Sequence, residues 1–283
     1  MAIGGVLTAM VTPFGLNGAV DEEAFVRLLG FLAENGSDGV VVAGTTGEGA
    51  TLTDEEKLRI FQLAAEEGGD LLVVAGTGSN DTAHSVHLSE QASQIDGVDA
   101  VLVVTPYYNK PPLRGVYAHF EAVSKAVDKP IIAYNIPSRV VIDLPNEFLR
   151  ELAAIDNVAA VKQSRYTDIE AIEGLDLLAG NDDTLAEVLD AGGTGGILTC
   201  SPFVGKQMRR IIDEPENRAE LQADLTEVID TFTITQLSMT VKAGLNLLGQ
   251  DVGGVRLPLV ECDENEIAAI RGVLERRGLL SAV

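Results

Sequence analysis

The chain alternates short apolar runs with longer stretches in which apolar residues recur at helical spacing. Eight apolar runs predict strands, over residues 5–12, 39–43, 71–75, 100–105, 130–134, 158–161, 175–179 and 195–199. The stretches that follow them predict helices, over residues 22–34, 54–66, 82–94, 113–126, 146–153, 168–173, 184–190 and 203–212. Strand–helix alternation is typical of parallel sheets, and eight uninterrupted units predict an α/β fold that closes as a (β/α)8 TIM barrel.

A polar segment with a proline, residues 213–217, ends this alternation. Beyond it, apolar residues keep a helical spacing over 221–248 and again over 264–277. We therefore predict a (β/α)8 catalytic barrel over residues 1–213 and a C-terminal helical domain over residues 214–283.

The charge balance narrows the classes of partner. The 43 acidic and 20 basic residues give a formal net charge of -23, which argues against binding to nucleic acid or to an anionic membrane surface. Small molecules and further copies of the chain are the partners that this favours. The acidity fits an ordinary solvated surface and also an adaptation to high salt.

The cysteines and the first residues bear on location. Cys200 and Cys262 are far apart and have no metal-ligand spacing, so they indicate a reducing compartment rather than a disulfide scaffold. Residues 1–5 lack the positive region of a signal peptide, and no apolar run approaches the ~18 residues that span a bilayer. We expect a cytoplasmic protein.

Lys162 is the most informative single residue, because it directly follows the apolar run 158–161. Strands of a parallel sheet are buried on both faces, so an amine at the end of one must pair, reach water along its stem or lose its proton. A neutral amine can attack a ketone and form a Schiff base. Lys162 is thus a candidate nucleophile, with a strand-end lysine whose head reaches water as the alternative.

Other polar residues follow other strands, and in barrels of this type chemistry gathers where the strands end. Thr45 and Thr46 could present hydroxyl and backbone N–H groups to a carboxylate, or serve a tight turn. Tyr134 could exchange protons with an amine, or pack as a half-buried aromatic. Arg139 could grip a carboxylate bidentately, or form a surface salt bridge. Tyr108 lies in a proline-rich loop that suits an interface, a lid or simple packing over the barrel mouth.

Metal and nucleotide sites are not expected. His84 and His87 share a helical face, but zinc needs a third ligand and only His119 remains. The glycine-rich segments lack the dinucleotide and phosphate-loop patterns. A competing nucleophile, Lys242, lies in the predicted C-terminal helices, away from any predicted strand end.

With these residues in hand, the chain resembles the dihydrodipicolinate synthase family, within the pyruvate-dependent Schiff-base aldolases that include N-acetylneuraminate lyase. The resemblance extends from residue 9 to residue 259. It is carried by an ordered set of motifs: Gly44-Thr45-Thr46-Gly47-Glu48, Thr105-Pro106-Tyr107-Tyr108-Asn109, Tyr134-Asn135-Ile136-Pro137-Ser138-Arg139, Val161-Lys162, Gly180-Asn181-Asp182 and Val241-Lys242.

The resemblance implies condensation of pyruvate with L-aspartate 4-semialdehyde, a step of lysine and diaminopimelate biosynthesis, by a homotetramer that is a dimer of dimers and needs no metal or organic cofactor. It implies a Schiff base at Lys162 and proton transfer by Tyr134. It also implies that Thr46 and a Tyr108 from across a dimer interface complete the proton relay. Thr45 would bind the pyruvate carboxylate, and Arg139 would bind the carboxylate of the aldehyde substrate. Backbone groups of Gly180 and Ile197 would line the lysine pocket.

The sequence departs from the family pattern at two pairs of positions. Val140-Val141 stands where Thr-Gly is usual, which suggests a narrower or more apolar aldehyde side. Gln163-Ser164 stands where Glu-Ala is usual, which removes a carboxylate and could alter the electrostatics around Lys162. Two alternatives stay open: a pyruvate-dependent aldolase or dehydratase acting on a sugar acid, and a non-catalytic barrel that binds keto acids.

A further departure concerns regulation. In family members that lysine inhibits, the effector site aligns with residues near Gly49, Asp54, Lys57, Asn80, His84 and Tyr107. In those members, the residue that aligns with His84 is a glutamate, which holds the amine of the effector. The resemblance therefore implies weak or absent feedback inhibition.

Overall fold

The computed structural model describes residues 3–280, so the first two and last three residues, at the outer ends of the two predicted domains, lie outside it. Eight parallel strands close a barrel in chain order, each paired with its neighbours and β8 with β1. The strands are β1 Gly5–Ala9, β2 Gly39–Val42, β3 Leu72–Gly76, β4 Ala100–Val104, β5 Ile131–Asn135, β6 Val158–Gln163, β7 Asp176–Ala179 and β8 Gly195–Leu198. The predicted TIM barrel is confirmed.

Helices lie between most of the strands and continue beyond the last. They are α1 Glu22–Glu34, α2 Asp54–Glu67, α3 Thr82–Ser93, α4 Leu113–Ser124, α5 Pro137–Val140, α6 Asn146–Leu152, α7 Leu185–Asp190, α8 Ser201–Asp213, α9 Arg218–Phe232, α10 Leu237–Leu247 and α11 Glu264–Arg276. Their starts follow local chemistry, since Thr53 and Asp263 each close a capping box at the beginning of α2 and α11.

The predicted helix over 168–173 is wrong. This segment forms bends and turns, with an isolated antiparallel bridge between Ile172 and Leu175. Asp168 has a left-handed backbone (φ 53°), and its carbonyl accepts a hydrogen bond from the Arg165 guanidinium at 2.8 Å. The apolar residues at 169 and 172 have helical spacing, but each packs on the core from irregular backbone.

Alternation along the strands separates two apolar layers. One layer fills the barrel and includes Leu7, Val41, Leu102, Ile132, Tyr134, Ala160, Leu178 and Ile197. The other lies between the barrel and the helices and includes the intervening strand residues, such as Val101, Ala133 and Val161. Since side chains two residues apart share a face, Lys162 points into the barrel with Ala160. Both layers are needed for the fold, but only the inner one borders the barrel mouth.

The C-terminal helices cover one side of the barrel. Helix α9 packs against α8 and α11, and α10 packs against α11. The loop of residues 233–236 separates α9 from α10, within the stretch whose apolar spacing is helical throughout. Ser238 at the start of α10 reaches the barrel mouth, where its hydroxyl donates to the Thr45 carbonyl at 3.3 Å. The domain boundary after residue 213 stays a prediction.

Burial of His119 predicts a specific loss of stability in acid. His119 is 2% exposed, and its Nδ1 lies 3.0 Å from the Thr82 hydroxyl. Burial lowers its pKa from 6.5 to about 4. As the pH falls from 6.5 toward 4, the unfolded chain takes up this proton before the folded chain does. We therefore expect this one group to lower the free energy of unfolding by up to about 3 kcal/mol across that interval.

Urea unfolding at pH 7 and at pH 4.5 checks this expectation. The difference in free energy of unfolding between wild type and His119→Gln should narrow at the lower pH, because the variant has no imidazole to protonate. The matched control, His87→Gln at an exposed position of α3, should keep its difference constant. Equal pH dependence of both variants would contradict the assignment.

Candidate active site

Lys162 and Tyr134 lie side by side on paired strands. They are register partners in the β5–β6 ladder, and each is 6% exposed. The Lys162 amine lies over the phenol ring, with Nζ 4.2 Å from the ring centroid. The lysines that form ion pairs within residues 3–280 are Lys57, Lys125 and Lys242, and Lys162 is not among them. The predicted proximity of the two residues is present.

A tight loop after β2 carries Thr45 and Thr46. Ala43 and Glu48 on either side have left-handed backbones (φ 54° and 55°). Gly49 passes so close to the Ala43 carbonyl that a side chain there would collide with it. Thr46 is buried at 4% exposure, whereas Thr45 is exposed. The loop therefore turns one hydroxyl into the protein and leaves the other free for a ligand.

A cavity of about 680 Å³ opens at this mouth of the barrel. Of the sequence-predicted site residues, Thr45, Tyr134 and Arg139 line it. Lys162 and Thr46 are buried behind that lining. This arrangement gives the phenol of Tyr134 an intermediate place, in contact with both the cavity and the amine.

Gly180 directly follows β7, the strand paired with β6, and Ile197 lies in β8, the next strand around the barrel. Ile197 is fully buried in the inner layer. Gly180 follows β7, and its N–H donates to the Gln163 carbonyl at 2.8 Å. The Ser164 hydroxyl occupies the space that a side chain at position 180 would need. This hydroxyl and the Asn181 side-chain N–H₂ have no hydrogen-bond partner among the described residues.

The structure places the Gln163 side chain away from the Lys162 amine. Alternation turns its side chain to the outer face of the barrel, where the Asn135 amide donates to it at 2.9 Å. Gln163 also accepts from the Arg165 N–H at 3.2 Å. Its side chain therefore lies on the opposite face of the strand from the Lys162 amine, and exchange of a carboxylate for an amide there does not act on the amine through contact.

Arg139 and Val140 border the cavity from the short helix α5. Arg139 is exposed, whereas Val140 is 2% exposed, and both line the cavity. Val141 ends the helix with a left-handed backbone (φ 72°), which is costly for a branched side chain. Val140 therefore adds an apolar side chain to the cavity lining beside Arg139, whereas Val141 is 65% exposed and is not part of that lining.

Tyr108 is not brought to the other site residues within one chain. It is 88% exposed and has a left-handed backbone (φ 71°). Its neighbour Tyr107 lines the cavity and is 36% exposed. Tyr108 thus projects its phenol away from the barrel that carries it.

The outer part of the cavity contains most of the residues that align with the effector site. Gly49, Asp54, Lys57, His84 and Tyr107 all line it. The His84 Nε2 lies 2.8 Å from the Asp54 carboxylate, and the Lys57 amine lies 3.7 Å from it. Interaction with His84 and Lys57 lowers the pKa of Asp54 in spite of its partial burial. Weak feedback inhibition stays a prediction.

Sequence reasoning missed a buried ion pair beneath the threonine loop. Lys242, in α10, donates to the Glu48 carboxylate at 2.6 Å, and both side chains are almost fully buried. The expectation that Lys242 lies away from the strand ends is wrong, because α10 folds back over the barrel mouth. Two features of the sequence could have indicated this pair. One is a lysine inside an apolar helix, and the other is a glutamate directly after a glycine-rich turn.

A second missed carboxylate supports the ends of β7 and β8. Asp182 is 7% exposed and accepts hydrogen bonds from the Thr199 N–H and hydroxyl and from the Cys200 N–H. These bonds join the loop after β7 to the loop after β8. Asp182 therefore fixes the backbone next to Gly180 rather than facing a ligand.

Metal-binding clusters and membrane-spanning helices are both absent from residues 3–280. No group of three or more His, Cys, Asp or Glu side chains there could hold a metal ion. No helix in the same range is long and apolar enough to cross a membrane.

The fold and the buried lysine at the end of β6 define a (β/α)8 barrel with its polar groups gathered at one mouth. The chain belongs to the dihydrodipicolinate synthetase family, whose family model matches residues 2–277. A relative from Symbiobacterium thermophilum is 43% identical over 98% of this chain and 99% of its own, and one from Heliobacterium modesticaldum is 42% identical over 99% and 97%. Both are named 4-hydroxy-tetrahydrodipicolinate synthase.

The solved structures agree with this assignment. The crystal structure of the enzyme from Cyanidioschyzon merolae with lysine bound has a TM-score of 0.93 to this chain at 35% identity, and covers 98% of this chain and 99% of its own. Similarity at this level over the full length makes the family shared, and not only the fold.

Proposed function

We propose that this chain is a lyase that condenses pyruvate with L-aspartate 4-semialdehyde through a Schiff base on Lys162, as a 4-hydroxy-tetrahydrodipicolinate synthase. The observation that carries the proposal is the buried pair of Lys162 and Tyr134 inside the barrel of a chain from this family. The amine has apolar surroundings and lies over the ring of Tyr134, which carries a phenol hydroxyl. These are the two requirements for an amine that adds to a ketone and exchanges protons while doing so.

The chemistry follows from that pair. The Lys162 nitrogen adds to the pyruvate keto carbon, and the carbinolamine loses water to give an imine. Loss of a methyl proton then gives an enamine, whose carbon attacks the aldehyde of the second substrate. The amino group of that substrate finally displaces Lys162 by transimination, which closes the ring and frees the enzyme. Tyr134 is the proposed proton donor and acceptor for the carbinolamine steps.

The remaining site residues complete the proposal. Thr45 would hold the pyruvate carboxylate, Thr46 would join Tyr134 in a proton relay, and backbone groups at Gly180 and Ile197 would line the lysine pocket. Tyr108 would extend the relay of a neighbouring subunit, which its exposure favours. This role requires at least a dimer, and we propose a homotetramer that is a dimer of dimers.

We also place the protein in the cytoplasm. Cys200 and Cys262 are both buried and unbridged. Burial raises the pKa of the Cys262 thiol to about 11, and raises that of the Cys200 thiol strongly. Both cysteines therefore resist oxidation and behave as packing residues, as is usual in a reducing compartment.

Turnover tests the function directly. Purified protein should consume pyruvate and L-aspartate 4-semialdehyde together, with product followed through the downstream reductase. Imine trapping by borohydride with pyruvate, but no turnover with this aldehyde, would instead favour the sugar-acid aldolase or dehydratase. A panel of hydroxylated aldehydes would then identify the acceptor.

Replacement of Arg139 by alanine should separate the two substrates. If Arg139 binds the carboxylate of the aldehyde substrate, the variant should form the pyruvate imine at the wild-type rate but lose about 10²-fold in kcat/KM for the aldehyde. Borohydride trapping measures the first step, and the coupled assay measures the second. Arg150→Ala, at an exposed arginine of α6 paired with Glu170, is the control and should leave both unchanged. Parallel loss of both steps in Arg139→Ala would contradict its assigned role.

A further inference from the structure

Lys242 is a buried amine that the proposed chemistry does not use. Its side chain is 2% exposed. The amine donates to the Glu48 carboxylate at 2.6 Å and to the Gly254 carbonyl at 2.6 Å, and lies 4.0 Å from the centroid of the Phe14 ring. These partners bring α10, the segment before residue 256 and the loop after β1 into contact with the threonine loop. Lys242 therefore stands where the C-terminal helices meet the barrel mouth.

Glu48 uses both of its carboxylate oxygens for C-terminal partners. One accepts from Lys242, and the other accepts from the Arg256 backbone N–H at 2.8 Å. The Arg256 guanidinium then extends to the Gly18 and Thr51 carbonyls and to the Glu56 carboxylate. Glu48 is thus fixed on one side by residues that lie 194 and 208 positions away in sequence.

The same glutamate is part of the threonine loop. Its left-handed backbone closes the turn, and its N–H donates to the Thr45 carbonyl at 3.1 Å. The Thr45 carbonyl also accepts from the Ser238 hydroxyl of α10 at 3.3 Å. Two contacts from α10 therefore act on the loop that holds Thr45 and Thr46, one through Glu48 and one directly.

Stability alone does not account for this pair. A buried ion pair costs several kcal/mol in desolvation per ion, and replacement by well-packed neutral residues is often neutral or stabilising. The pair does have a steric and directional effect, because its short bonds leave the Glu48 side chain a single position. Because Glu48 is part of the threonine loop, a fixed Glu48 side chain also restricts the backbone of Thr45 and Thr46 just before it.

We propose that the Lys242–Glu48 ion pair is a positioning pair, by which α10 holds Thr45 and Thr46 in register with Lys162 and Tyr134. This inference rests on the proposed function, because it assigns the two threonines to pyruvate binding and proton transfer. Glu48 is among the residues that line the active-site cavity, but its side chain and that of Lys242 are 0% and 2% exposed, so neither charged group faces the cavity. They act through the backbone of the loop.

The protonation state of Lys242 gives the pair a pH dependence. Burial, only partly offset by Glu48, lowers the pKa of Lys242 from 10.5 to about 8, and nearby Arg256 adds to the lowering. The cavity of about 610 Å³ beside the amine also carries Asp21, Asp251, Glu261 and Cys262. As the pH rises through about 8, the folded chain loses this proton and with it the ion pair.

The sign of the stability effect is opposite to that of the activity effect. In the unfolded chain the lysine keeps its proton up to pH 10.5, so between about 8 and 10.5 the unfolded state binds more protons. This group then makes the free energy of unfolding rise with pH. If loss of the ion pair displaces the loop, kcat should fall above pH 8 while the melting temperature does not fall. Unfolding caused by deprotonation of this group would not give that combination.

The test compares the double variant Glu48→Gln/Lys242→Met with wild type. The neutral pair should keep the melting temperature close to that of wild type, whereas kcat and the rate of borohydride trapping should fall about 10²-fold, because misplacement of about 1 Å costs that much. The KM for pyruvate should rise. The fall of kcat above pH 8 in wild type should be absent from the double variant. Leu225→Ala, in the buried face of α9, is the control for general destabilisation.

Each result has a defined meaning. A stable double variant with wild-type kcat overturns the positioning role. The role is also overturned if Leu225→Ala loses as much kcat as the double variant when the two variants have lost the same amount in melting temperature. If the double variant does not fold, the wild-type profile decides, since a constant kcat between pH 7 and 9.5 also overturns the role. Failure of wild type to trap pyruvate on Lys162 would instead refute the proposed function.

Discussion

A Lys162→Met variant is expected to lose all pyruvate-dependent borohydride trapping and at least about 10³-fold in kcat. Without the amine, no covalent bond can form between enzyme and pyruvate. The thioether of methionine suits the apolar inner layer in which Lys162 lies, so the melting temperature should not fall. Mass spectrometry of the peptide that contains residue 162, before and after reduction with borohydride, measures the adduct.

The control for this prediction is Lys206→Met, at an exposed position of α8. It should keep both the adduct and the activity. An adduct that persists in Lys162→Met at a different lysine would show that another amine is the nucleophile, and Lys242 would be the first to examine because it is also buried. In that case the assignment of the active site to the end of β6 would be wrong.

A Tyr134→Phe variant should keep the pyruvate adduct but form it about 10²- to 10³-fold more slowly. The ring that lies 4.2 Å beneath the Lys162 amine is retained, and only the hydroxyl is lost. Since the hydroxyl is assigned to proton transfer and not to binding, the KM for pyruvate should change little. Stopped trapping at a series of times measures the rate of imine formation.

Tyr117→Phe supplies the comparison for Tyr134. Tyr117 lies on α4 and packs against the outer layer, so removal of its hydroxyl should leave trapping and turnover unchanged. A Tyr134→Phe variant with a wild-type trapping rate would assign the proton transfers to another group. A large rise in KM with unchanged kcat would make Tyr134 a binding residue instead.

The barrel could be predicted because most strand residues are apolar and buried, on both faces of the sheet. The failure at 168–173 has the opposite origin. Ile169 and Ile172 have helical spacing and both contact the core, yet the Arg165 side chain and the left-handed Asp168 favour a turn. Apolar spacing reports which residues are buried, and over six residues it does not determine the backbone that buries them.

The candidate site also has one part that the sequence predicts and one part that it does not. The proximity of Lys162 and Tyr134 follows from their places at the ends of adjacent strands, so the sequence is sufficient to predict it. The contact of Lys242 with Glu48 joins residues 194 positions apart, and depends on the path of α10 over the barrel. No spacing rule reports such a contact, which is why Lys242 was expected elsewhere.

The two rungs that join β5 to β6 at the barrel mouth have a consequence for how such enzymes diversify. The inner rung pairs Tyr134 with Lys162, and the outer rung pairs Asn135 with Gln163 through an amide–amide bond of 2.9 Å. The proposed reactive pair is therefore part of the sheet itself, whereas Arg139 and Val140 belong to a connecting segment outside it. Mutation can remodel that segment for a new aldehyde while the covalent step is inherited intact.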